Sequence, residues 1–129
     1  MIHELSKAKI SLINSLSVKK HRIDKGLFVV EGDKIFEEAM NSGLVIKMVV
    51  FNEDKRTAVD SDTFEVYTTD EAGMKKISNH KTASGVLAVI EIPQYKYEII
   101  SFKSKLTVAI EDIQDPGNMG TIIRICDWF

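Results

Sequence analysis

The segment Asp115-Pro116-Gly117-Asn118 follows an apolar run and precedes residues with helical periodicity. Proline fixes φ at the first corner of a turn and glycine accepts positive φ at the second, so we predict a tight turn here. Asn118 is a strong N-cap residue and would leave free backbone N–H groups on a helix that starts at Met119. This order is typical of ligand and phosphate sites in α/β proteins, although many folds use such a turn as plain structure.

Arg124 lies off the apolar face of this predicted helix. That face comprises Met119, Ile122, Ile123, Cys126 and Phe129. At roughly 100° per residue, Arg124 is about 140° around the helix axis from Met119, away from this face. Its planar guanidinium suits phosphate oxygens, whereas pairing with Asp127 or stacking on Trp128 is the simpler interpretation.

A basic run near the N-terminus is the second candidate site. Residues 1–34 contain seven Lys or Arg against four acids, a local charge of +3 in a chain whose formal net charge is -2. The run Lys19-Lys20-His21-Arg22 therefore either faces phosphates or is a solvated helix end whose cations favour the helix dipole.

Composition argues against several other classes of protein. The single Cys126 cannot pair within the chain, and no apolar run reaches the roughly 18–20 residues of a membrane span. His3 and His80 have no second ligand at metal-binding spacing, so no metal site is predicted. The N-terminus also lacks the pattern of a signal peptide, and we expect a soluble, cytoplasmic protein.

The predicted elements alternate between helices and strands. A helix is predicted over 5–17, strands over 27–30, 45–51, 64–68 and 84–92, and further helices over 32–43 and 70–79, the last capped by Asp70. This order favours an α/β layer fold with a mainly parallel sheet. We predict one domain over 1–95 and a linker over 96–105. Residues 106–129 would form one strand (106–112) and one helix after it, and these two elements cannot form a domain alone.

Residues 111–129 resemble the first motif of the SpoU (TrmH) family of RNA 2′-O-ribose methyltransferases, of the SPOUT class, which reads Asp-Pro-x-Asn-x-Gly before a helix with an Arg. Upstream, Lys20-x-Arg22, the segment FVVEGDKIFEEA and SGVLAVIE resemble the substrate-binding domain often placed before that motif. The resemblance implies a three-layer α/β/α sandwich similar to RNA-binding ribosomal proteins, followed by the start of a knotted α/β domain. Ser84 departs from the pattern, since relatives often carry Gln there.

The resemblance also implies an activity and residue roles. The activity is methyl transfer from S-adenosylmethionine to a ribose 2′-hydroxyl of ribosomal or transfer RNA. Arg124 would assist deprotonation of the hydroxyl, and Asn118 would shape the loop. The implied RNA contacts are Lys19, Lys20, Arg22 and Lys34, with Glu31 as an orienting carboxylate. The alternative for Glu31 is a turn residue beside Gly32.

The family's second and third motifs, which form the cofactor pocket and much of a homodimer interface, would lie beyond position 129. We therefore expect an N-terminal fragment that binds RNA, has no cofactor-binding residue of its own and is catalytically inactive by itself. One alternative is a stand-alone RNA-binding module without enzymatic activity. Another is a regulatory α/β domain whose positive end binds an acidic protein.

Overall fold

The computed structural model divides the chain into two units, which we call unit 1 (Met1–Gln94) and unit 2 (Tyr95–Phe129). It describes residues 1–55, 59, 61–95 and 107–128. The predicted linker 96–105 lies outside the described residues. The elements of unit 1 are β1 (Ile2–Glu4), α1 (Lys7–Ser15), α2 (Lys19–Lys25), β2 (Leu27–Glu31), α3 (Asp33–Asn41), β3 (Ile46–Asn52), β4 (Glu65–Thr69), α4 (Glu71–Ile77) and β5 (Val86–Glu91). The described part of unit 2 contains α5 (Pro116–Trp128).

Short polar signals fix the helix boundaries in unit 1. The Ser6 side chain caps α1, and Oδ1 of Asp70 accepts from the backbone N–H of Gly73 at 2.7 Å, which confirms the predicted cap of α4. Extended backbone at Val18 separates α1 from α2. The basic run is therefore a helix of its own and not the end of the first helix. Gly26 then ends α2 in the left-handed conformation (φ 63°).

The five strands form a mixed sheet in the order β1-β4-β3-β5-β2. Strands β1, β4 and β3 are parallel, whereas β5 is antiparallel to both β3 and β2. Four of the five strands therefore run in one direction, as in the predicted mainly parallel sheet, and β5 alone runs against them. The direction of β5 follows from the connection after β4. Helix α4 and the loop 78–85 return the chain to the carboxyl ends of β2 and β3. Strand β5 begins there and runs back between these two strands.

Helices cover both faces of the sheet, which confirms the three-layer sandwich. On one face, Ile13 of α1, Leu16 directly after that helix and Met74 of α4 pack against alternate side chains of β3 and β5. On the other face, Phe36 and Ala39 of α3 pack against the side chains of β3 and β5 that point to the opposite side of the sheet. The apolar β-branched strands that the sequence predicted are buried in this way between two layers.

Unit 2 differs from the sequence prediction in two places. Residues 107–112 are not in a strand, because no described residue pairs with them, and a strand depends on a neighbour for its hydrogen bonds. The predicted turn at Pro116-Gly117 is also wrong. The helix α5 already begins at Pro116, where the missing N–H costs nothing, and Gly117 has no positive φ.

The N-cap of α5 is consequently Asp115 and not Asn118. Oδ1 of Asp115 accepts from the backbone N–H of Asn118 at 3.0 Å, and its carbonyl accepts from the N–H of Met119 at 3.2 Å. Asn118 therefore lies within the first turn of the helix.

Candidate nucleic-acid interface

The carboxyl ends of β2 and β3 meet the loop 78–85 at one edge of the sheet. The backbone N–H of Gly32 donates to the carbonyl of Val86 at 3.0 Å, and that of Asn52 donates to Gly85 at 2.9 Å. Three segments that are distant in sequence are thereby joined at the end of the strand that carries Glu31.

The Glu31 carboxylate organises this loop. Its side chain is 5% exposed. Oε1 accepts from the Ser78 hydroxyl at 2.6 Å, from the Ser84 N–H at 3.3 Å and from the Ser84 hydroxyl at 3.4 Å. Oε2 accepts from the N–H of Asn79 at 3.3 Å, and the His80 ring nitrogen Nδ1 lies 3.9 Å from Oε1. The geometry favours the turn-residue interpretation of Glu31, and its role toward RNA stays a prediction.

The partners of Glu31 were missed by the sequence prediction, which named neither Ser78 nor Asn79. One available signal was the alternation along β2. Leu27 and Val29 pack on the face covered by α1 and α4, and Glu31, two residues further, follows the same side of the strand. An acidic residue at such a position requires donors from another segment. Ser84 supplies two of them, its backbone N–H and its hydroxyl.

Arg22 stabilises the turn between α1 and α2. Its Nη1 donates to the carbonyl of Leu16 at 2.9 Å and to that of Ser17 at 2.8 Å, so it caps the end of α1. Within the described residues, its Nε and Nη2 groups make no such bond. The predicted RNA contact thus has a structural role in addition to any role toward a ligand.

The three lysines predicted to contact RNA are exposed. Lys19 and Lys20 begin α2, and Lys34 lies in the first turn of α3. Gly32, at φ 115°, lets the chain turn between the buried Glu31 and the exposed residues of the first turn of α3. The charges are therefore available to solvent, and their contact with RNA stays a prediction.

The predicted catalytic residues of unit 2 lie on different sides of α5. Asn118 borders an open crevice of about 570 Å³. The other residues that line it are Asp112, Ile113, Gln114, Asp115, Thr121 and Ile122. Arg124 is exposed and its Nε donates to the carbonyl of Gly120 at 3.2 Å. Six residues at 100° each place Arg124 about 120° around the axis from Asn118.

The described residues do not form an enclosed site for S-adenosylmethionine. The crevice beside Asn118 is built from one loop and one helix, and most of its lining residues are exposed. A cofactor site normally encloses most of its ligand, so no residue here is assigned to the cofactor. The described residues also contain no group of three or more potential metal ligands, and no helix among them has the length and apolarity to cross a bilayer.

Comparison with known proteins gives one family and several relatives. A family model described as the MRM3-like substrate binding domain matches residues 7–88. The chain is 28% identical over 127 residues to the 23S rRNA (guanosine(2553)-2′-O)-methyltransferase RlmP of Bacillus subtilis (strain 168), and the alignment covers 98% of this chain and 50% of that protein. The chain therefore spans about half the length of the curated relative that it matches.

Two solved structures extend the likeness to the fold. A chain described as a TrmH-family RNA methyltransferase from Porphyromonas gingivalis superposes with a TM-score of 0.68 at 28% identity, over 96% of this chain and 49% of that one. The SpoU methyltransferase AviRb from Streptomyces viridochromogenes, solved with AdoMet, superposes with a TM-score of 0.66 at 18% identity, over 95% and 50% of the two chains. The resemblance to the SpoU (TrmH) family is confirmed.

Proposed function

The chain belongs to the MRM3-like substrate binding domain family, and we propose that it provides the RNA-binding part and the first catalytic motif of an S-adenosylmethionine-dependent RNA 2′-O-ribose methyltransferase. The observation that carries the proposal is the alignment over 127 residues with a ribosomal RNA 2′-O-methyltransferase, because it extends through both units.

Unit 1 supplies the RNA-binding part. Exposed Lys19, Lys20 and Lys34 and half-buried Arg22 are positive charges on the sandwich, and an RNA-binding surface needs such charges to contact phosphates. Glu31 supports this surface indirectly, since it fixes the loop that borders it. This arrangement suits local contacts to a structured RNA and not a uniformly basic, sequence-blind groove.

Unit 2 supplies the first motif. A 2′-hydroxyl is a weak nucleophile, so transfer of a methyl group requires orientation of the hydroxyl and removal of its proton. An arginine side chain is in general too basic to act as a free general base. The Arg124 guanidinium can stabilise the developing alkoxide or bind the adjacent phosphate, and its exposure on α5 leaves it available for either role. Asn118 supports the loop at the start of the same helix.

The methyl donor would be S-adenosylmethionine, which supplies an activated methyl group when bound. The crevice beside Asn118 is open and is formed by one loop and one helix, which supports a cofactor pocket built mainly by other residues. We therefore propose that the 129-residue chain binds RNA but does not transfer methyl groups by itself. A homodimer is proposed for the methyltransferase as a whole, because the resemblance places the dimer interface together with the cofactor pocket.

The test is binding of the 129-residue chain to structured ribosomal RNA over a range of salt concentrations. Lys19→Gln, Lys20→Gln and Lys34→Gln should each weaken binding and reduce the salt slope by about 1, the effect of one lost phosphate contact. Lys47→Gln is the matched control, because Lys47 is an exposed lysine that pairs with Glu91 near the opposite ends of the strands. Equal slopes for all four variants would contradict the proposed surface.

A second assay addresses the chemistry. Incubation of the chain with labelled S-adenosylmethionine and ribosomal RNA should give RNA binding without methyl incorporation, and incorporation would contradict the proposed inactivity. The alternative function is a stand-alone RNA-binding module, favoured by the restriction of the family match to residues 7–88. Methyl transfer by the protein isolated from its native source, lost on Arg124→Ala, would eliminate that alternative.

A further inference from the structure

A crevice of about 340 Å³ lies in unit 1 beside the basic helix α2. Its size falls within the roughly 300–1,000 Å³ of small-ligand sites. The residues that line it are Leu16, Ser17, Arg22, Phe28, Val29 and Asn79. They come from the turn between α1 and α2, from α2 itself, from β2 and from the loop that Glu31 fixes.

The crevice meets β2 along its open edge. Strand β2 is the last in the sheet order and pairs with β5 on one side. The side chains of Phe28 and Val29 pack on opposite faces of the sheet. A cavity that touches both residues therefore contacts the strand at its edge and not on one face.

The backbone of Val29 offers an unused donor and acceptor at this edge. In an antiparallel pair, hydrogen-bonded residues alternate with outward-facing ones. The bonds from Gly32 N–H to Val86 and from Ile92 N–H to Gly26 show that the even-numbered residues of β2 face β5. The N–H and C=O of Val29 consequently point away from β5, and neither has a partner among the described residues.

Polar side chains on the crevice wall lie near the N–H and C=O groups of Val29. The backbone of Asn79 is held by Glu31, and its side-chain amide makes no hydrogen bond within the described part of the chain. Arg22 is fixed by its two bonds to carbonyls of the α1–α2 turn, which leaves its Nε and Nη2 groups for another acceptor. Lys19 and Lys20 lie on the same helix.

We infer that this crevice binds an unpaired nucleobase of the RNA. Every nucleobase has neighbouring donor and acceptor atoms on its edge, which the N–H and C=O of Val29 complement, and the Asn79 amide can add a third bond. Arg22 then meets the flanking phosphate. The occupant is a nucleotide and not a protein strand, because the positive charges beside the strand edge complement a phosphate. The inference rests on the proposed RNA-binding function and specifies the kind of nucleotide bound.

Amide NMR on the 129-residue chain tests this inference directly. Titration with each of the four nucleoside 5′-monophosphates should shift the Val29 amide resonance and the Asn79 side-chain resonances. Ribose 5-phosphate, which has no base, should leave the Val29 amide unchanged and affect only the Arg22 guanidinium. Equal shifts of Val29 with ribose 5-phosphate, or no shift with any nucleotide, would overturn the assignment.

A matched pair of variants measures the contribution to RNA binding. Asn79→Ala should weaken binding of a single-stranded loop about threefold to tenfold, the loss expected for one hydrogen bond, and should leave a fully paired duplex unaffected. Asn41→Ala removes an exposed amide from α3 on the other side of the sheet and should change neither. An equal loss for loop and duplex would show that Asn79 does not meet a base.

The failure of this inference differs from the failure of the proposed function. If structured RNA binds with a salt-dependent affinity while Val29 does not respond to it or to nucleotides, the nucleobase site is wrong and RNA binding stands. If neither RNA nor any nucleotide binds, both are wrong. Concentration-dependent protection of the Leu27, Val29 and Glu31 amides without nucleotide would instead indicate strand pairing between two copies, and would also overturn the nucleobase site.

Discussion

Replacement of Glu31 by alanine should destabilise unit 1 and release the loop 78–85. The change removes both carboxylate oxygens and leaves the Ser78 hydroxyl and the backbone N–H groups of Asn79 and Ser84 without this acceptor, whereas the Ser84 hydroxyl keeps its 2.8 Å bond to the carbonyl of Val86. Within the described residues, Glu31 is the acceptor for the backbone N–H groups of both Asn79 and Ser84, so loss of the carboxylate acts on both ends of the loop.

The magnitude follows from the geometry of these bonds. A hydrogen bond to a charged group contributes about 1.5–3 kcal/mol, and an unsatisfied buried donor costs about 1–3 kcal/mol. The bond from Ser78 at 2.6 Å is strong, whereas the other three, at 3.3, 3.3 and 3.4 Å, are weaker. Water can reach exposed Asn79 and half-buried Ser84. We therefore expect a total loss of about 2–4 kcal/mol in the free energy of unfolding.

Thermal unfolding measures the loss of stability, and amide hydrogen exchange measures the release of the loop 78–85. The transition of unit 1 should move by roughly 10–20 °C in a thermal scan. Exchange at Asn79 and Ser84 should accelerate far more than exchange in the central strand β3. Glu31→Gln should lose about half as much, because one amide oxygen remains for Ser78 and Ser84 while the amide nitrogen opposes the Asn79 N–H.

Glu37→Ala is the control, since Glu37 is an exposed acid on α3 and its loss should change stability by about 0.5 kcal/mol or less. Glu31→Ala with the stability of the control and unchanged exchange at Asn79 and Ser84 would refute the reasoning. RNA affinity measured on the same variants links the loop to function, because Glu31→Ala should weaken RNA binding even though its carboxylate points inward.

Three further predictions concern other parts of the chain. Asp115→Ala should destabilise α5 by about 1 kcal/mol through loss of its N-cap and lower the helical signal in circular dichroism, whereas an unchanged signal would mean that the cap is not needed. Gly73→Ala should destabilise unit 1 by about 1–3 kcal/mol in urea unfolding, against the usual gain of Gly→Ala in a helix, because the new Cβ would lie 1.8 Å from Thr69 Oγ1. The hydrogen bond from Lys9 and then that from Tyr67 lower the pKa of Glu65 below its usual 4.5, so this pair stabilises the fold above that pH and the contribution is lost on acidification. Glu65→Gln should therefore reduce the loss of unfolding free energy at acid pH. The change should be less than about 1 kcal/mol because the Lys9–Glu65 pair is exposed. The same dependence of unfolding free energy on pH in both proteins would contradict this role of Glu65.

Much of the fold could be predicted from local patterns. The apolar β-branched runs predicted β3 and β5, and Asp70 predicted the start of α4, because both depend on neighbours within a few residues. The strand β1 was missed for the opposite reason. Its three residues have no distinctive pattern, and they form a strand through pairing of Ile2 with Val66 of β4.

The direction of β5 was equally inaccessible from sequence. Helix α4 has seven residues and is followed by a loop, and the periodicity of neither segment shows whether the next strand runs with β4 or against it. The hydrogen bonds from Asn52 to Gly85 and from Gly32 to Val86 determine the direction of β5, because they hold its first residues beside the carboxyl ends of β3 and β2. They join residues 33 and 54 positions apart.

The sequence by itself determined the family, the charge near the N-terminus and the residue types available for chemistry, since these depend on composition and on short motifs. The tertiary structure decided what those residues contact. Glu31 accepts bonds from residues 47 to 53 positions away, and Arg22 uses part of its guanidinium to cap α1. A local pattern cannot specify such partners, because they meet only where the folded chain brings distant segments within hydrogen-bond distance.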